Sequence, residues 1–278
     1  MLGEATKAAL SSAVAYQVMV AMVAFFLLMP LRAYAEDPPI QVYAEDPPLS
    51  VYAEDPAPYG WREVWAGADV SSNVWLLYSG LTVAPYCHMF DDGLRLRIAS
   101  GYGGYSYEGF RREGLTAKLT SFNARTAFTD VLIGYLKRFG PLTAKGFLGT
   151  SLIGHQVVPL DTTNLVQGID YGPKVVVELW LNMGSDAWQS FDLNWTSAHH
   201  TYAGRVRNGY RVLDELSVGV EARIDGNALD KDARGGAFVR YEWQGGEVTI
   251  AGGVAGQFFR DAKSMTSPYA TATWLIQY

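Results

Sequence analysis

Along residues 61–278, apolar and polar side chains alternate one for one. Val175, Val177, Leu179, Leu181 and Met183 are interleaved with Val176, Glu178, Trp180 and Asn182, and Phe191, Leu193 and Trp195 with Asp192, Asn194 and Thr196. Further on, Leu216, Val218, Val220, Ala222 and Ile224 oppose Ser217, Gly219, Glu221 and Arg223, while Ala237, Val239, Tyr241 and Trp243 oppose Arg240 and Glu242. Successive side chains of a strand point to opposite faces, so a period of two gives each strand one greasy and one wetter face. The pattern predicts strands near 63–71, 73–85, 93–107, 124–139, 141–157, 169–183, 187–200, 203–213, 215–225, 234–244, 246–257 and 268–278.

A soluble sandwich shows the same period, and the connections separate the two. Tight turns fall at Gly140-Pro141, Met183-Gly184-Ser185, Asp214-Glu215 and Gln244-Gly245-Gly246, all on one side of the sheet. Longer loops lie near 108–123, 158–168, 226–233 and 258–267. Outer-membrane barrels have short periplasmic turns and long outer loops, and an up-and-down barrel with both ends in the periplasm needs an even strand count. The segment 85–93, on the tight-turn side, is longer than that rule prefers. The chain ends on Trp274, Ile276 and Tyr278 alternating with Thr273 and Gln277, as in a strand whose outer face carries interfacial aromatics. The fold expected is an all-β, antiparallel, up-and-down outer-membrane barrel of about 12 strands, with 10 to 14 open; a periplasmic sandwich is the alternative.

Upstream, Lys7 and an apolar stretch from Ala8 to Leu31 precede Ala33-Tyr34-Ala35, which reads as a signal peptide over 1–35 cut after Ala35. Residues 36–60 read as a Pro-rich linker. Tyr-Ala-Glu-Asp-Pro occurs at Tyr34–Pro38, Tyr43–Pro47 and Tyr52–Pro56, and proline removes a donor and fixes φ, so the stretch should be extended. Residues 61–278 are then the barrel domain, placed in the outer membrane of a Gram-negative bacterium. Cys87 is the only cysteine, which excludes a disulfide scaffold. A net charge of −6 excludes nucleic acid as a partner, since phosphate neutralisation needs a clustered excess of Lys and Arg.

If the apolar face meets lipid, the other face lines a lumen. That assigns inward positions to Arg95, Arg97, Glu178, Asp192, Asn194, Arg205, Arg207, Arg211, Glu221, Arg223, Arg240 and Glu242. A charge on the lipid face costs about 2–4 kcal/mol at the midplane, which drives these groups inward. Arginines interleaved with carboxylates pair readily, so an ion-pair network filling the interior is favoured over a binding passage for a hydroxyl-rich ligand.

The run Trp65 to Asn73, Gly93-Leu94-Arg95-Leu96-Arg97, Gly101-Tyr102-Gly103 and Gly140-Pro141-Leu142-Thr143 resemble the bacterial cellulose biosynthesis protein BcsS family. So do Val166-Gln167-Gly168, Glu178 to Asn182, Gly204 to Arg207, Gly209-Tyr210-Arg211, Gly236 to Trp243 and Ser267-Pro268-Tyr269-Ala270, a likeness spanning about 61–278. The resemblance implies an outer-membrane-associated accessory to cellulose synthesis and export, with no catalytic residue to carry over.

Three classes of function follow. The first is a non-enzymatic barrel assisting export, anchoring or assembly of cellulose, in contact with outer-membrane lipid, cellulose and export components. Tyr102, Tyr105 and Tyr107 are its candidate glycan contacts, against an interfacial girdle as the plainer role. The second is a lipid or glycan hydrolase. It would rest on Ser151 with His155, Ser197 with His199 or His200, or the carboxylates Glu178 and Asp192. Neither a Gly-x-Ser-x-Gly elbow nor a His-Glu-x-x-His helix supports it. The third is a scaffold docking export proteins through the Tyr-Ala-Glu-Asp-Pro repeats. His199 and His200, adjacent in the expected strand, would point apart and chelate no metal together, and no cofactor is implied.

Overall fold

A computed structural model describes residues 60–113, 116–162, 164–256 and 266–278. The signal peptide and most of the linker expected over 1–60 lie outside the described residues.

Twelve strands among the described residues close into one antiparallel barrel. They are β1 (Arg62–Ser71), β2 (Val74–Val83), β3 (Gly93–Glu113), β4 (Thr116–Phe139), β5 (Leu142–Val158), β6 (Gly168–Met183), β7 (Ala187–Thr196), β8 (Tyr202–Leu213), β9 (Leu216–Gly226), β10 (Lys231–Trp243), β11 (Gly246–Gly256) and β12 (Ser267–Gln277). Each pairs with its sequence neighbours, and β12 returns to β1 in a register running from Glu63↔Gln277 to Ser71↔Tyr269. Around the wall, closure pairs each strand on both sides, as a sheet in hydrocarbon requires.

The distribution of side chains is inverted relative to a soluble protein. Leu77, Ile133, Leu148, Val220 and Ile250 each leave more than half their surface exposed, whereas Asp69, Arg95, Asp130, Glu221, Arg234 and Arg240 are buried. Cross-strand partners share a face, and the pairing puts Val175, Val177, Leu179 and Leu181 on the outside with Glu178 and Trp180 inside. An apolar exterior around a charged interior makes this an outer-membrane type of barrel and excludes the sandwich.

The four tight turns expected from the sequence fall at one end, where both ends of the barrel sheet also lie, while the two-residue link 72–73 between β1 and β2 lies at the other. Gly140 and Gly245 take positive φ there (60° and 82°), backbone that glycine adopts without a Cβ clash. The exception, residues 84–92, is held by Arg95. Its guanidinium donates to Cys87 Sγ (3.1 Å) and to the carbonyls of His88, Met89 and Asp91. Asp92 is latched to β4 by Lys137 and by the Arg138 N–H (2.8 Å), which together hold its carboxyl below the usual range.

Three expectations change. The loop expected at 108–123 is mostly strand, because β3 and β4 stay paired out to Glu113↔Thr116. Their neighbours stop sooner, β2 at Tyr105 and β5 at Asn123, so the β3–β4 ribbon stands beyond the wall. The strand expected over 187–200 ends at Thr196, and Ala198–His200 form a single 3-10 turn in which His199 and His200 both have positive φ (49° and 52°). The loop at 226–233 shrinks to 227–230, since β10 begins at Lys231.

Candidate functional site

The inward faces meet in a dense set of ion pairs. Arg97 on β3 reaches Glu178 on β6 with both terminal nitrogens (2.5 and 3.2 Å), and Lys145 on β5 lies 3.8 Å from the same carboxylate. Asp192, the direct cross-strand neighbour of Glu178, takes Arg205 at 3.1 Å and Arg207 at 3.9 Å. Arg223 joins Asp69 (2.5 Å) to Asp225 (2.8 Å), and Arg234 adds a second guanidinium to Asp69 at 2.7 Å. Arg240 pairs with Glu242 (2.9 Å) and with Glu247. Glu221 accepts from the Tyr269 hydroxyl (2.9 Å), Arg211 donates to the Ser185 carbonyl and to Asn182, and Asn194 lines the cavity between them and the loop end.

Arg95 differs from its expected place in the ion-pair network, because its two terminal nitrogens donate to the carbonyls and thiol of residues 87–91 and to the neighbouring Leu94 carbonyl. Sequence reasoning missed Asp69, Lys145, Arg234 and Glu247, and also Asp130, which accepts from Lys174 and from the Ser151 hydroxyl, each at 2.6 Å. On β4 the inward face carries Phe122, Phe128, Leu132 and Leu136 beside Asp130, so it does not read as the wet one.

Among the described residues, cavities open at both ends of the lumen. One, of about 620 Å³, opens toward the loop end; the other, about 590 Å³, lies at the tight-turn end. Both fall in the range of about 300–1,000 Å³ that holds small ligands. Glu63, Lys145, Glu178, Asp192, Arg207 and Glu247 line both, so a belt of charges stands where the cavities meet.

The three tyrosines separate. Tyr102 points outward with Trp75, ring centroids 5.6 Å apart, in the position of an interfacial girdle. Tyr105 and Tyr107 point inward at the foot of the ribbon, where Tyr107 stacks on Phe122 (5.1 Å) and its hydroxyl is held between Asp161 (2.8 Å) and Asn164 (2.7 Å). The rings that line the cavities are others. Trp65 and Tyr78 face the loop-end cavity, each lying over a cross-strand glycine, Gly80 and Gly67, where a Cβ would come within 2.2 and 2.4 Å. Trp180 faces the tight-turn cavity.

The hydrolase candidates are engaged otherwise. The Ser151 hydroxyl donates to Asp130 rather than to His155, whose Nδ1 meets the Tyr105 hydroxyl at 3.3 Å. Ser197 contacts His200 through backbone, and Glu178 and Asp192 each carry basic partners. His199 and His200 lie in the 3-10 turn, so the strand argument for their divergence does not apply. Among the described residues no cluster of three metal-binding side chains occurs.

No curated protein matches this chain. Among solved structures it is similar to the KdgM porin, at 10% identity and a TM-score of 0.43, covering 78% of this chain and 99% of that one. It is also similar to the transport unit of the autotransporter AIDA-I from Escherichia coli (12%, TM-score 0.43, 86% and 94% covered) and to Omp33 from Acinetobacter baumannii (9%, 0.35, 80% and 100%). The model of the family described as cellulose biosynthesis protein BcsS matches residues 64–278, which takes in the wall from β1 to β12. The chain therefore belongs to the BcsS family of cellulose biosynthesis proteins.

Proposed function

We propose that this protein is a non-enzymatic accessory of cellulose production that assists export, anchoring or assembly of the polymer at the cell surface. Its signal segment, residues 1–35, directs export, and the barrel sits in the outer membrane with the tight turns toward the periplasm. The family match across the whole wall carries this reading. The state of the lumen supports it: the carboxylates best placed for acid–base work, Glu178 and Asp192, are held by Arg97, Lys145, Arg205 and Arg207. A catalytic pair would instead leave one group free to exchange a proton with substrate.

Deleting the gene from a cellulose-producing host tests the proposal. Cell-associated cellulose should fall while the synthase in isolated inner membranes keeps its activity; unchanged surface cellulose would refute an accessory role. Deleting residues 36–58 alone, with the barrel still assembled, asks whether the repeats dock export components. His155→Ala should leave the phenotype intact, and its loss would revive the hydrolase.

A further inference from the structure

We infer that the tight-turn cavity is a binding subsite for a short run of a neutral, β-linked glucan, with the Trp180 indole as its platform. The inference rests on the proposed role in cellulose handling and adds where, and by which side chains, the polymer is met.

Trp180 projects inward from β6 and its ring is backed by a rigid aromatic stack. Its centroid lies 4.2 Å from that of Trp188, with the planes 18° apart, and Trp188 in turn packs on Phe238 at 5.4 Å. Trp188 is wholly buried, whereas Trp180 is half-buried and lines the cavity. Its Nε1 donates to Asn182 Oδ1 at 3.1 Å, which fixes the ring, and Arg211 shares that acceptor at 3.3 Å. The Arg240 guanidinium sits 4.7 Å from the ring and pairs with Glu242. Arg240 is 94% buried, yet its Nη1 has no hydrogen-bond partner, a donor left over in a cavity wall.

An aromatic face ringed by an amide, two guanidiniums and a carboxylate matches the chemistry of a β-linked glucose residue. Its equatorial hydroxyls lie around the rim and leave both faces of the ring as C–H surface, which covers the indole while the rim pairs with the polar groups. Charge selects against an acidic polymer. The five basic groups of this cavity, Arg138, Lys145, Arg207, Arg211 and Arg240, are matched by Glu63, Glu178, Asp192, Glu242 and Glu247. A polyanion needs an excess of positive potential that this lining does not supply.

The test is titration of the full-length mature protein, in detergent, with cellohexaose, followed by calorimetry. Wild type should bind, Trp180→Ala should weaken binding by about tenfold or more, Trp180→Phe should lose less, and oligogalacturonate should bind no better than cellohexaose. Asn182→Ala, which leaves the aromatic stack in place, guards against loss of folding and should also weaken binding. Heat-modifiable gel migration checks assembly of every variant. Absence of binding by wild type at millimolar cellohexaose, or Trp180→Ala and Asn182→Ala binding as wild type does, overturns the subsite. In cells the two ideas part: if gene deletion lowers surface cellulose but Trp180→Ala does not, the subsite falls and the accessory role stands.

Discussion

At the scale of single residues, the interior is organised around carboxylates that each serve more than one base. Asp69 is the clearest, almost fully buried and clamped by Arg223 and Arg234 from β9 and β10. Neutralising it leaves the two guanidiniums to Asp225 alone, which lies 2.8 Å from Arg223 and 3.4 Å from Arg234. Removing one partner of a buried ion pair costs roughly 3–5 kcal/mol, and the Asp225 carboxylate that stays on both guanidiniums favours the lower end. Asp69→Asn should therefore lose about 3 kcal/mol, read as a lower midpoint temperature for the shift from the compact to the extended gel form. Outward Ser79→Ala should leave that midpoint alone, and equal midpoints for both variants would show that the clamp contributes nothing. The glycines tell a related story. Their abundance reads as turns and strands, yet Gly80 and Gly67 are seats over which Trp65 and Tyr78 lie. That use depends on cross-strand register, which one strand's sequence does not display.

At the scale of elements, the period of two located the wall well because lipid imposes it: an outward polar side chain is penalised, so alternation is strict wherever the strand crosses hydrocarbon. The same reason explains the misses. Beyond Tyr105 and Asn123 the β3–β4 ribbon leaves the wall, and the alternation that marks a strand fades though the pairing continues. Thr196 to Thr201 contain no glycine or proline to signal a break, and only the geometry of His199 and His200 shows it. Most lumen charges on β6 to β10 are legible from alternation, Arg234 excepted; Asp130 on β4 and Lys145 on β5 are not, because large apolar side chains share that inward face, and Asp69 on β1 and Glu247 on β11 are missed as well. The ribbon also yields a prediction. Deleting residues 109–120 joins the cross-strand pair Tyr107↔Phe122 through Glu108 and Ser121 and keeps the small core of Phe122, Ala124 and Val157. The shortened protein should assemble normally, as judged by heat-modifiable migration, while cell-associated cellulose declines. Full retention by an assembled variant would assign surface contact elsewhere.

At the scale of the whole molecule, a belt of fixed charge stands between the two cavities. Glu63, Lys145, Glu178, Asp192, Arg207 and Glu247 border both spaces, and Arg97 reaches across β4 and β5 to Glu178, so the interior is crossed by fixed charge rather than left as a clear channel. The tight-turn cavity is balanced, whereas the loop-end cavity carries eight carboxylates against six lysines and arginines. Ions crossing the barrel thus meet a neutral stretch and then a mildly negative one, and a low-dielectric wall focuses that field on the path. In a planar bilayer the protein should show small currents with a modest preference for cations, measured as a reversal potential in a potassium chloride gradient. Arg97→Ser takes the main partner from the belt's Glu178 and should raise both the conductance and the cation preference, since Glu178 then keeps only Lys145 at 3.8 Å. An anion preference in the wild type, or a conductance unmoved by Arg97→Ser, would mean that the pairs of the belt do not govern passage through the barrel.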